Sequence, residues 1–89
     1  MKEMIYNFIE GQWGDNAPVM VTYKMWNSHI LYTFQDYTLT SSGNIIEFIG
    51  DDCECQIDCG AVTDIQTVED GIILFIGSDD VCVEISGVY

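Results

Sequence analysis

Apolar side chains recur at every second position through much of this chain, and clusters of turn-forming residues interrupt them at short intervals. A period of two suits the pleated strand, whose side chains alternate between faces, and does not suit the helix. In residues 19–26, Val19, Val21, Tyr23 and Met25 share one face, while Met20, Thr22, Lys24 and Trp26 share the other. Asn27-Ser28 then reads as a turn into residues 29–34, where Ile30, Tyr32 and Phe34 align. Ser41-Ser42-Gly43-Asn44 is a turn before residues 45–49.

The second half repeats the pattern more sharply. Gly50-Asp51-Asp52, Gly60-Ala61, Glu69-Asp70-Gly71 and Gly77-Ser78-Asp79-Asp80 separate expected strands at 45–49, 53–59, 62–68, 72–76 and 81–86. Gly and Asp tolerate the backbone angles that tight turns require, so these clusters are hairpin signals with a mechanism. Residues 72–76 are apolar on both faces, as expected of a central strand covered on both sides or by a partner subunit. The chain is therefore expected to be all-β: one domain, 1–89, folded as an antiparallel meander, sandwich or barrel of about seven to eight strands. Residues 1–10 are open to two readings. Met1, Met4, Ile5, Phe8 and Ile9 fit helical spacing with Gly11 as its end. A strand over residues 4–9 is preferred, because Gly11-Gln12-Trp13-Gly14 reads as a hairpin connection.

Composition matters next through charge. Fifteen carboxylates face only Lys2 and Lys24, and arginine is absent, for a net charge of −13. Glu3, Glu10 and Asp15 precede residue 25, so 15 − 3 leaves twelve carboxylates in residues 25–89, where no Lys or Arg occurs and His29 is the sole histidine. Such a surface repels nucleic acids and anionic membranes, whose binding requires Lys and Arg against phosphate. No apolar stretch approaches the roughly 20 residues of a membrane span. An early acid, with no long apolar run after it, argues against a secretory leader, so the cytoplasm is the expected location.

Cys53, Cys55, Cys59 and Cys82 raise four options: zinc, disulfides, a nucleophile, or buried thiols. Tetrahedral zinc usually draws on C-x2–4-C knuckles, and the C-x-C-x3-C spacing here has none. A thiolate nucleophile needs a neighbouring cation, which this chain hardly supplies. Cys53, Cys55, Ile57 and Cys59 fall on one strand face, opposite Glu54, Gln56 and Asp58. Small hydrophobes turned into the core are the preferred reading, and Cys55→Ser should cost roughly 1–3 kcal/mol if it has no hydrogen-bond partner. Trp13, Trp26, Tyr23, Tyr32, Phe34 and Tyr37 are read mainly as core, with an exposed Trp26–Lys24 face as the lesser option.

No catalytic constellation stands out. A Gly-rich phosphate loop and a G-x-S-x-G elbow are both missing, and nothing singles out one carboxylate pair among many. No enzymatic activity, cofactor or resident metal is expected. The acidic turns Asp51-Asp52 and Glu69-Asp70 would meet at one end of a simple meander, where they could hold a divalent ion weakly. The leading expectation is instead a binding surface built from Asp51, Asp52, Glu54, Asp58, Asp64, Glu69 and Asp70, docking on a basic, nucleic-acid-binding protein. An assembly module joined through the apolar strand at 72–76 is the alternative. Oligomeric state is left open.

In size, charge and β-rich character the chain resembles two groups of inhibitors. One comprises phage-encoded anti-defence proteins, including anti-CRISPR and anti-restriction DNA mimics; the other comprises bacterial immunity proteins that neutralise nuclease toxins. The likeness is compositional along the whole chain and rests on no motif, so no residue roles carry over. It implies a protein that blocks a nucleic-acid-handling partner and performs no chemistry.

Overall fold

A computed structural model describes residues 2–14 and 17–88, apart from the side chains of Ser78 and Asp79. Met1 and the Asp79 side chain, both invoked above, lie outside the described residues. The described chain begins with a helix, α1 (Lys2–Trp13), followed by eight strands: β1 (Val19–Met25), β2 (Ser28–Phe34), β3 (Tyr37–Ser42), β4 (Ile45–Gly50), β5 (Glu54–Asp58), β6 (Asp64–Val68), β7 (Gly71–Ile76) and β8 (Ser78–Gly87). They form a five-stranded antiparallel sheet in the order β2-β1-β8-β7-β6 and a three-stranded sheet in the order β3-β4-β5. The all-β reading holds, as two sheets and not as a closed barrel.

The strand expected at residues 4–9 is a helix. Ile5, Ile9 and Trp13 recur every four residues and are all buried, so they form one apolar stripe that strand alternation would have split between two faces. That stripe packs on β4 and on the 3-10 turn Cys59–Ala61, closing one side of the core. The helix passes through Gly11, so the connection read there does not form; Trp13 is buried at its end. Tyr37 ties this end down, its hydroxyl donating to the Ala17 carbonyl at 3.1 Å with the Trp13 carbonyl at 3.4 Å.

β3 was not anticipated. Its Tyr37 is buried and Leu39 half-buried, a two-residue period diluted by threonine and serine. It extends through Ser41-Ser42, leaving only Gly43-Asn44 to turn. Gly43 alone takes a positive φ (59°), the pattern of a II′ hairpin turn.

The β1–β2 turn departs from expectation in the same way. Met25 pairs with Ser28, so Trp26-Asn27 forms the turn and not Asn27-Ser28. Moving the turn by one residue shifts the pairing by two, which keeps every inward residue inward, so alternation alone does not choose between the registers. Trp26 is left at φ +49° and 77% exposed, its N–H donating to the Asp80 carbonyl at 2.9 Å. The reading of Trp26 as core is therefore wrong. A bulky residue in the left-handed region costs about 1–2 kcal/mol relative to glycine.

The two sheets share one core. Phe34 from the larger sheet stacks on Phe48 from the smaller at 5.5 Å, and Tyr37 closes on Phe48 at the same distance. Cys55, Ile57 and Cys59 point inward while Glu54, Gln56 and Asp58 are exposed, as the spacing predicts. Cys82 does not join them; it is half-buried on the opposite face of the larger sheet, level with Lys24 and Phe75. β7 is an interior strand between β8 and the edge strand β6; Ile72 and Leu74 are buried, while Ile73 and Phe75 are only half-buried on the outer face, so coverage on both sides is incomplete.

One hydrogen-bond chain stitches the sheets together. The Tyr23 hydroxyl lies 2.7 Å from both the Gln56 carbonyl and Cys55 Sγ. A phenol has one proton, so Tyr23 donates to the carbonyl and accepts from the thiol. Cys55 thus has a partner that a serine would inherit, and Cys55→Ser is expected to cost about 1 kcal/mol, at the low end of the range for an orphaned hydroxyl. Tyr23→Phe leaves the buried Cys55 thiol without its acceptor and hands the Gln56 carbonyl to solvent, and is expected to cost about 1–2 kcal/mol in urea unfolding.

Burial raises both the Tyr23 phenol and the Cys55 thiol above their ordinary values, and the hydrogen bond between them raises the phenol further. A raised folded value means the stabilisation is complete below the unfolded pKa and disappears as pH climbs through the folded one. Stability should therefore fall from about pH 9 upward, and less steeply in Cys55→Ser, which removes the group that ordinarily titrates first. Identical alkaline melting profiles for the two proteins would contradict this.

An acidic face on the smaller sheet

The seven carboxylates expected to act together divide between the two sheets. β5 and β6 do not pair; the 3-10 turn Cys59–Ala61 carries the chain from the smaller sheet to the larger. Asp51 and Asp52 lie in the β4–β5 loop, and Glu54 and Asp58 lie on β5, all exposed. Asp64 begins β6 on the far edge of the larger sheet, where its carboxylate accepts the Ile65 N–H at 2.9 Å. Glu69 and Asp70 form the β6–β7 turn, held beside β8 by the Gly87 N–H donating to the Asp70 carbonyl.

The β4–β5 loop instead sits at the opposite edge. Gly50 approaches the Phe34 ring at the end of β2, and its N–H donates to the Cys53 carbonyl at 2.9 Å. The two acidic turns accordingly do not converge into the end-cluster of a simple meander. Among the described residues, no group of three or more His, Cys, Asp or Glu side chains is placed to hold a metal ion.

What the fold does bring together is a row on the solvent face of the smaller sheet. Cross-strand pairing sets Thr40, Glu47 and Gln56 in one line, and Thr38, Ile49 and Glu54 in the next. Glu47 was not among the expected residues, although its place between the inward Ile46 and Phe48 marks it as outward. Its carboxylate accepts from the Gln56 amide at 3.0 Å, which fixes its direction across the sheet. Asp36 was also missed. It joins Asp51 and Asp52 around an open cleft of about 200 Å³ lined by Thr33–Asp36 and Gly50–Cys53, and no local pattern announces that meeting.

Asp58 differs from the others because its carboxylate accepts the Gly60 N–H at 2.9 Å and caps the 3-10 turn. At the same end burial pushes the Cys59 thiol up, Asp58 adds to the shift and the Lys2 ammonium opposes it. Lys2 thus lies within electrostatic reach of Cys59 beside Asp58, whereas no Lys or Arg occurs in the segment that carries Asp36, Glu47, Asp51, Asp52 and Glu54. Lys24 is committed elsewhere, to Glu84 at 2.9 Å on the larger sheet. His29, second in β2, is exposed.

No helix among the described residues is long and apolar enough to cross a membrane. No protein-family model, curated protein or solved structure matches this chain.

Proposed function

We propose that the protein is a non-enzymatic binding module that lays the acidic face of its smaller sheet on a basic surface of a nucleic-acid-handling protein. The observation that carries this reading is the placement of Glu54 and Asp58 as exposed carboxylates on β5, with the half-buried Glu47 of β4 beside Gln56 and the exposed Asp51 and Asp52 in the adjoining loop, in a segment with no Lys or Arg after Lys24. Same-face strand residues repeat every ~6.6 Å, about twice the ~3.4 Å advance per nucleotide of a DNA strand. Glu54 and Asp58 stand two such repeats apart on β5, ~13 Å or about four nucleotide steps, so their charges can fall where phosphates would lie. Because sheet pairing holds Glu47, Glu54 and Asp58, little ordering entropy is lost at these positions on docking. The compositional likeness to phage anti-defence proteins and nuclease-toxin immunity proteins points the same way.

The test uses immobilised protein and the nucleic-acid-binding proteins of its source cell. A true partner should be displaced by double-stranded DNA, and its affinity should fall by about tenfold or more between ~50 and ~300 mM salt. A partner that DNA does not displace, and that holds equally well at both salt concentrations, would refute the reading. A second reading, an assembly module, is supported by Ile73 and Phe75 on the solvent side of the larger sheet.

A further inference from the structure

We propose that two copies of this chain associate through β2, antiparallel about Leu31, each seating Trp26 at the Thr33–Asp36 and Gly50–Cys53 cleft of the other. The inference starts from the carboxylate-free edge of the larger sheet and does not need the acidic-face reading, although the cleft that receives Trp26 carries Asp36, Asp51 and Asp52. Between Asp15 and Asp36 the chain has no carboxylate. Two molecules of net charge −13 meet least repulsion along this stretch, which forms β1 and β2.

β2 is an edge strand, and it lacks the usual guards. Its sequence, Ser-His-Ile-Leu-Tyr-Thr-Phe, contains no proline, lysine or carboxylate, and its pairing with β1 runs without a bulge. Met25 and Ser28 flank a two-residue turn and so form a hydrogen-bonded pair. Alternation from that pair turns the backbone N–H and C=O groups of His29, Leu31 and Thr33 toward the free edge. Placing Leu31 opposite its own copy sets His29 against Thr33 of the partner subunit, so these outward groups satisfy one another. Ile30 and Leu31, now 51% and 54% exposed, would be covered.

The same register decides where Trp26 goes. With Ser28 opposite Phe34 of the partner subunit, the hairpin tip projects alongside the partner's Gln35 and Asp36, at the mouth of the cleft described above. The cleft is therefore filled by the most exposed large apolar side chain among the described residues, and the two-fold axis makes both ends equivalent. An indole held in a strained backbone conformation on the surface is the kind of residue that anchors interfaces.

Sedimentation equilibrium of the full chain from ~1 to ~100 μM should show a monomer–dimer equilibrium that tightens with salt, because like charges are screened. This is the opposite sign to the salt response expected for the basic partner, so the two readings fail separately. Leu31→Lys places like charges at the axis and should weaken the dimer by roughly thirtyfold or more. Trp26→Gly should weaken it by about tenfold or more while raising the monomer's melting temperature, since glycine accepts the turn angle freely. Should Leu31→Lys fail to fold, Trp26→Gly still decides the matter. A wild type that stays monomeric throughout would overturn the proposal. So would a dimer indifferent to both substitutions, or one lost only in Ile73→Lys.

Discussion

Replacing Phe48 by alanine is expected to remove about 3–5 kcal/mol of folding free energy, the largest loss from any single truncation considered for this chain. Phe48 is 0% exposed and sits on the middle strand of the smaller sheet, stacked on Phe34 with an interplanar angle of 27° and packed against Tyr37 at 52°. It is thus where the two sheets meet. Its removal costs transfer energy and leaves a cavity that three paired strands cannot collapse into. Small domains hold only about 5–15 kcal/mol in total, so the variant should unfold at a far lower urea concentration. Trp26→Ala, made outside the core, should not lose stability on this scale. A Phe48→Ala loss below about 1 kcal/mol would mean the two sheets do not share the core described here.

Neutralising Asp51, Asp52, Glu54 and Asp58 together, as Asn, Asn, Gln and Asn, should act in two opposite directions. Association with a basic partner should slow by on the order of 10- to 100-fold at low salt, because complementary charge acts chiefly on the encounter rate. The melting temperature should rise, and rise more at low salt, because like-charge repulsion across the sheet falls. Asn is chosen at position 58 so that an oxygen still caps the Gly60 N–H. Stopped-flow association and thermal melts at two salt concentrations read both effects. Unchanged association rates would remove the acidic face from the proposed function. A clear drop in stability would mean that these carboxylates hold the loop in some way other than repelling one another.

The sequence alone determined the strands whose alternation is strict and whose turns are marked, together with the direction each of their side chains takes. The inward Cys55, Ile57 and Cys59 and the outward Glu54 and Asp58 were legible because facing in a strand depends only on parity. The interior place of β7 was legible in its unbroken apolar run, though its outer face is only half-buried. Parity also marks Glu47 as outward, between Ile46 and Phe48.

Tertiary packing decided the rest. Helix or strand for α1 depended on an available groove beside β4 and the 3-10 turn, which Ile5, Ile9 and Trp13 fill as one stripe. The exposure of Trp26 depended on a register that alternation leaves undecided, and the split of the acidic residues depended on the chain changing sheets after Asp58. A local period says which way a side chain points along its own strand. Which strand lies beside it is set by burial summed over the whole chain, and that sum is not written in any one segment.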